Sequence, residues 1–258
     1  MSSSGDGWAL RLGRYQDVLC DVEAFDACIL DAPYSERTHG GHDGATRGDG
    51  RHDPAYGDRM TTRAINFPFW TDDDVGDCVE FIAPRCRGWI VSLTDHILWS
   101  SWSKWLDAAG FYVFPPLPLV EIGSRVRLTG DGPSSWTTFL CCARPRNREF
   151  ARWGTLRGAY IYTGRGDRQL VGGKRTDSMR ALVRDYTKPG SLVCDPTAGA
   201  ATTARACQLE GRRFIGAEVD PYTHAAACRR LAEPYTAPLF DDDAQVQQTT
   251  IPGCDDDA

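Results

Sequence analysis

Apolar positions in this chain come in short runs, and two kinds of run alternate along it. Phe25 to Leu30 is a compact apolar stretch that stops at Asp31-Ala32-Pro33-Tyr34, the pattern of a buried strand ending in a sharp turn. Asp72 to Arg85 instead spaces Val75, Cys78, Val79 and Ile82 as one helix face behind an acidic first turn. Gly88 to Thr94 is a second buried strand. His96 to Ala109 follows as a Trp-rich helix closed by Gly110. Residues 111–121 and 136–143 read as strands split by a polar turn at 129–135. Asp177 to Thr187 reads as a helix, Ser191 to Cys194 as a strand ending at Asp195, and Pro196 to Gly199 as a loop entering a helix that runs to about Glu210. Phe214 to Glu218 is another strand, and Pro221 to Ala232 another helix. Strands with no polar alternation, interleaved with helices, predict a mostly parallel, doubly wound α/β sheet covered on both faces.

Two stretches escape this pattern. Residues 35–66 are rich in Gly, Arg, Asp and His and have no usable period; a loop that long beside a strand end is expected to serve substrate. Everything after Phe240 is polar and acidic, and 241–258 reads as a disordered tail. A single domain over 1–240 is therefore expected, with 35–66 and the basic segment 121–175 as elaborations. No run approaches a membrane span, and the Met-Ser-Ser-Ser-Gly-Asp-Gly start carries no basic or apolar leader pattern, so a cytoplasmic protein is expected. The ten cysteines include no Cys-x-x-Cys pair and lie mostly in apolar runs, so they read as buried thiols and no metal is expected.

The chemistry concentrates in two places. At 191–220 an acidic residue, Asp195, ends a strand. A small-residue loop with Gly199 then turns into a helix, and Glu218 ends the next strand. That is the plan of a nucleoside-cofactor site: small residues admit the ligand to the backbone, and the second carboxylate accepts from both ribose hydroxyls. No G-x-G-x-x-G and no phosphate-cradling Gly-Lys-Ser/Thr is present, which argues against a dinucleotide or a nucleoside triphosphate. The second place is Asp31-Ala32-Pro33-Tyr34. A carboxylate, a main-chain carbonyl and an aromatic face within four residues suit an exocyclic amine on a planar ring.

Together the two motifs resemble the S-adenosylmethionine-dependent amino-methyltransferases of DNA. Asp31-Ala32-Pro33-Tyr34 is similar to their Asp-Pro-Pro-Tyr motif, and Asp195 to Thr203 (DPTAGAATT) to their Asp-Pro-Phe-x-Gly-x-Gly-Thr-Thr loop. Phe214 to Asp220, with Arg229-Arg230-Leu231 beyond, also looks like this family, and Gly173-Lys174-Arg175 stands where the family has a Lys-Pro segment. The catalytic motif precedes the cofactor motif, the permuted order of the β class of N6-adenine and N4-cytosine enzymes. The departures are Ala32, Thr197 and Ala201 in place of Pro, Phe and Gly, and Arg175 in place of Pro.

The resemblance implies a Rossmann-like methyltransferase fold, S-adenosyl-L-methionine as cofactor and DNA as partner, with a homodimer as the assembly common in the class. It assigns Asp31, Ala32, Pro33 and Tyr34 to catalysis. It assigns Lys174, Asp195, Pro196, Thr197, Ala198, Gly199, Thr202, Thr203, Glu218 and Asp220 to the cofactor. Arg37, Arg51, Arg63, Arg125 and Arg127 are expected to contact substrate. An Asp at the first catalytic position favours N6 of adenine; N4 of cytosine, RNA, or an inactive nucleic-acid-binding relative are the alternatives. Ser92, Thr94 and Asp95 read either as pocket rim or as a helix cap. Trp99, Trp102 and Trp105 read as core or interface. His39, His42 and His52 fall in the long loop.

The net charge of -6, taken alone, opposes a polyanion as partner. Six of the acids are Asp241–243 and Asp255–257, however, while 121–190 hold 14 Lys plus Arg against 6 Asp plus Glu. The total averages two opposite regions, and it leaves a basic, Arg-rich centre suited to phosphate.

Overall fold

The computed structural model describes residues 2–38, 69–123, 132–163 and 173–234. The expected tail, most of the 35–66 loop and the 129–131 part of the predicted turn lie outside them. Ten strands form one sheet: β1 (Ser2–Gly5), β2 (Trp8–Leu12), β3 (Ala27–Asp31), β4 (Ile90–Thr94), β5 (Phe111–Val113), β6 (Leu117–Glu121), β7 (Thr137–Pro145), β8 (Tyr160–Tyr162), β9 (Leu192–Asp195) and β10 (Arg213–Glu218). The order is β1-β2-β10-β9-β3-β4-β7-β6-β8, with β5 on β7. The central run β2-β10-β9-β3-β4 is parallel throughout, and β7 turns the sheet antiparallel beyond β4. The mostly parallel, doubly wound sheet predicted above is present.

Strands buried on both faces explain the unbroken apolar runs. Alternate residues of β3 and β4 go to opposite sides. Ile29, Val91 and Leu93 join one core with Met179, Leu182, Ala204, Cys207 and Leu231. Cys28, Leu30 and Ile90 join the other with Val75, Val79, Ile82, Trp102 and Leu106. The first core is roofed by α5 (Thr176–Tyr186), α6 (Thr202–Leu209) and α7 (Pro221–Ala232), the second by α2 (Asp72–Ile82) and α3 (Trp99–Ala108). Two four-residue helices, α1 (Tyr15–Val18) and α4 (Arg148–Ala151), complete the elements.

The acidic start of α2 is a capping box: Thr71 Oγ1 accepts from Asp74 N, and the Asp74 carboxylate accepts from Thr71 N at 2.8 Å. Trp102 is fully buried, Trp99 donates to the Leu140 carbonyl, and Trp99 and Trp105 both pack partly buried against the same core, so all three tryptophans serve the core side of α3. Seven of the described cysteines are buried free thiols. Among the described residues, no helix is long and apolar enough to cross a membrane.

Several features differ from the sequence reading, among them β8, α1 and α4, which it does not predict. The single strand expected over 111–121 is two, because Pro115 and Pro116 cannot continue a ladder, and both pieces pair with β7. The helix expected from His96 starts at Trp99, after a turn over 96–98. The β1–β2 hairpin was not expected at all, since its outer strand is three serines and a glycine. Its signal was the Asp6-Gly7 turn between Gly5 and Trp8, a favoured two-residue hairpin connection.

Candidate active site

The strand order places the two motifs side by side. From β9 the chain winds through α6 to β10 on one side; from β3 it winds through α2 to β4 on the other. The β9/β3 junction is thus the point where the winding reverses, and ligands of such sheets bind there, beyond the carboxyl ends of the strands. Asp31, Asp195 and Glu218 end three consecutive neighbours, β3, β9 and β10. Motifs far apart in the chain therefore form one row of carboxylates.

At the cofactor motif, Asp195 is buried, accepting from Thr203 Oγ1 at 2.7 Å and from Thr197 N at 3.0 Å. Burial pushes its carboxyl up to about 7 against those two donors, with Asp31 and Glu218 adding to the rise. Glu218 accepts from Gly199 N at 2.9 Å and from Asp220 N at 2.7 Å, and burial raises its pKa as well. Asp220 caps α7 through Thr223 N. Beside Glu218, Val219 is 60% and Tyr222 85% exposed, apolar surface next to the expected ribose position. Pro196 and Ala198 lie in the turn that joins Asp195 to α6, and Thr202 is the first residue of that helix. Arg230 of α7 holds this loop, donating to the Ala200 carbonyl at 3.0 Å and to Thr176 Oγ1 at 3.0 Å.

The loop also shows what the Gly-to-Ala departure costs. Ala201 has φ 57 and ψ 39, a left-handed conformation disfavoured by its Cβ. Ala201→Gly is expected to stabilise the protein by roughly 0.5–1 kcal/mol. Urea unfolding would check it; a variant no more stable than the parent would mean that burial of the Ala201 methyl outweighs the strain.

At the catalytic motif, Asp31 lies on the face of Ile29, toward α5. The Tyr34 hydroxyl donates to Asp31 Oδ1 at 3.1 Å, and Thr138 of β7 reaches the same hydroxyl. Burial first, then the Asp31 carboxylate, push the Tyr34 phenol up to about 12, so it stays a neutral donor. Lys174, expected at the cofactor loop, instead meets Asp31, with Nζ 2.9 Å from Oδ2. Ala32 is buried and Pro33 follows it in the turn.

Four further residues near the motifs have defined places. Asp95 is both cap and anchor: one oxygen accepts from Ile97 N and Leu98 N, the other from Ser35 N, Ser35 Oγ and Thr38 Oγ1. It ties the residues after Tyr34 to the start of α3, while Trp70 N donates to the Tyr34 carbonyl at 3.0 Å. Ser92 and Thr94 share the Ile90 face, on the other side of the sheet from Asp31, so they do not rim this pocket. Arg175, where the family has Pro, pairs with Asp177, donates to the Thr163 carbonyl at 2.9 Å and lies over the Tyr162 ring. Arg37 is exposed on the segment after Tyr34. Arg51, Arg63, Arg125 and Arg127, with His39, His42 and His52, lie outside the described residues.

Comparison with known proteins gives the following likenesses. Residues 174–229 match the model of the DNA methylase family (N6/N4 Mtase), a span that runs from Lys174 past Glu218 and leaves Asp31 outside. YubD of Escherichia coli strain K12, which carries a methylase designation, is 37% identical over 67 residues, 26% of this chain and 30% of that protein. The chain thus matches less than a third of the length of this curated relative. Among solved structures, the M1.HpyAVI–SAM complex is similar with a TM-score of 0.59 at 19% identity, over 86% of this chain and 100% of that one. A DNA modification methylase of Thermus thermophilus, complexed with S-adenosyl-L-methionine, gives 0.55 at 16%, over 86% and 92%. The PvuII DNA methyltransferase, cytosine-N4-specific, gives 0.59 at 12%, over 90% and 88%. The fold is the Rossmann-like fold of these methyltransferases.

Proposed function

We propose that this chain transfers a methyl group from S-adenosyl-L-methionine to the exocyclic amine of a base in DNA, N6 of adenine. The observation that carries the reading is the junction of β3 and β9, which sets the Asp31–Tyr34 turn beside the Asp195–Thr203 loop. The donor set fits the cofactor. A molecule with a sulfonium and an ammonium suits a row of three carboxylates, two of which burial drives toward the neutral form. Its ribose suits Glu218, and its adenine the exposed Val219 and Tyr222.

When bound, the cofactor supplies an electrophilic methyl. The chain's own groups then position the attacking amine. Asp31 and the Ala32 carbonyl accept its two N–H bonds, leaving the nitrogen lone pair directed at the methyl. Tyr34 stacks on the ring of a base turned out of the duplex. The proton leaves as the amine is methylated, and Asp31 is the nearest acceptor. Arg37 is placed to meet a phosphate beside Tyr34. N4 of cytosine is the second reading, since the cytosine-N4-specific PvuII enzyme is as similar in fold as M1.HpyAVI.

The test is incubation with methyl-labelled cofactor and unmethylated DNA or RNA, digestion to nucleosides and mass spectrometry. Label in N6-methyladenine is expected. Label in N4-methylcytosine would select the second reading, and no label in either polymer, with cofactor binding measured, would overturn both.

Asp195 adds a pH signature. Its carboxyl is raised to about 7, so the folded state holds the proton between the ordinary carboxylate range and 7. Its share of stability is present at acid pH and lost as pH rises to 7. A cationic ligand prefers the ionised form, so cofactor affinity should run the other way, weakening by up to about tenfold per unit below pH 7. Asp195→Asn should bind more weakly, remove that slope, and melt several degrees above the parent at pH 8. Calorimetric titration and thermal melts from pH 5.5 to 8.5 check this; a slope that survives the substitution would assign it elsewhere.

A further inference from the structure

Lys174 has a partner that its place in the sequence does not indicate. Its Nζ lies 2.8 Å from Asp31 Oδ1, and its side chain is 5% exposed. The same nitrogen stands 4.9 Å from the centre of the Tyr34 ring. Burial alone would lower its pKa, but the Asp31 carboxylate and Tyr34 outweigh burial and raise it, so the ammonium stays charged. An ammonium and an exocyclic amine offer a carboxylate the same N–H donors. A cation and a planar base both settle on an aromatic face. Both halves of the target's binding position are thus engaged by one side chain of the protein itself.

We propose that Lys174 is a stand-in for the target amine: it holds the donor position at Asp31 and the face of Tyr34, and an incoming base takes both by displacing it. The inference rests on the catalytic assignment of Asp31 and Tyr34 made above. The arrangement keeps Asp31 and Tyr34 in their working geometry, and the Lys174 ammonium offsets the repulsion between the half-buried Asp31 carboxylate and its neighbour Asp195. The four-carbon stem of lysine lets the head swing aside without moving backbone. Lys174 thereby sets how hard the base must compete to enter, so it acts on substrate affinity more than on the reaction that follows.

Two substitutions test this from opposite sides. Lys174→Met keeps the stem and removes the competitor; Lys174→Arg grips the carboxylate with two prongs. With labelled cofactor and unmethylated genomic DNA, KM for DNA is expected to fall about fivefold in Lys174→Met and to rise about fivefold in Lys174→Arg. Cofactor Kd should move less than about twofold in both. A rise in KM with both variants would mean ordinary structural damage and overturn the proposal. So would a tenfold loss of cofactor affinity in Lys174→Met, which would return the lysine to the cofactor.

The pair itself can be read without any turnover. The chain has three lysines, Lys104, Lys174 and Lys188. Mild acetylation followed by peptide mass spectrometry should spare Lys174 in the parent and label it in Asp31→Asn. Equal labelling of the three in the parent would dismiss the pair. Protection of Lys174 together with no methyl transfer to DNA or RNA would dismiss the functional reading instead.

Discussion

Replacing Asp31 by alanine is expected to lower methyl transfer on the order of 10³-fold while cofactor affinity stays within about threefold. The large effect follows from what Asp31 does alone. Its oxygens accept from the Tyr34 hydroxyl and from the Lys174 ammonium. Ala32 supplies a second acceptor from its backbone, which no substitution at 31 removes. One acceptor holds an amine but leaves it free to swing, and the reaction depends on the direction of the lone pair. Asp31→Ala also leaves the buried Lys174 ammonium without its carboxylate, so part of any loss could come from stability. Asp31→Asn separates the two, since it keeps volume and one acceptor. Its activity should fall nearly as far as that of alanine while its melting temperature stays closer to the parent. Transfer surviving in Asp31→Ala at more than about a tenth of the parent rate would remove Asp31 from the chemistry.

Gly216→Val is expected to cost about 3 kcal/mol, a fall of roughly 6–12 °C in melting temperature for a domain of this size. Gly216 pairs with Asp195 across β10 and β9. A Cβ there would stand 2.7 Å from the Asp195 carbonyl and 2.6 Å from the tip of the Phe214 ring. The ring can turn, but the carbonyl belongs to the strand that ends in the cofactor loop. Relief must therefore come from moving β9 or β10, and weaker cofactor binding should accompany the lower melting point. A variant that melts like the parent would show that the strands separate at no cost.

The strands and the Asp195–Thr203 turn were legible because the signal is local. A run such as Ala27 to Leu30 sits between two cores and can be apolar on both faces, and Asp195 to Thr203 keeps its small residues wherever the fold places them. What escaped was set by distance or by dihedral angle. Lys174 lies 143 residues from Asp31, and spacing could not tell which strand end it would meet. Ala201 looks harmless as a letter; only its φ of 57 shows that the backbone wants glycine. Asp95 reads as either pocket rim or cap, and two of its five bonds are of the capping kind; the other three reach Ser35 and Thr38, 60 and 57 residues away. Pro115 and Pro116 were in plain view, and reading them as breakers would have divided β5 from β6.

The rim of the sheet carries a last consequence, for how the protein behaves in concentrated solution. Among the described residues, its outermost strand on one side is β1, four residues of Ser2-Ser3-Ser4-Gly5, and on the other the three residues of β8. Open strand borders invite pairing with a second molecule, and short or polar ones discourage it. Just inside β1 lies β2, with Trp8 and Leu10 both buried. The serine strand is therefore a sacrificial hem: it uses up the free hydrogen-bonding border of β2 and offers a stranger little to grip. Trimming residues 2–5 should leave the fold standing and make the protein self-associate more than the parent, visible in light scattering as concentration rises.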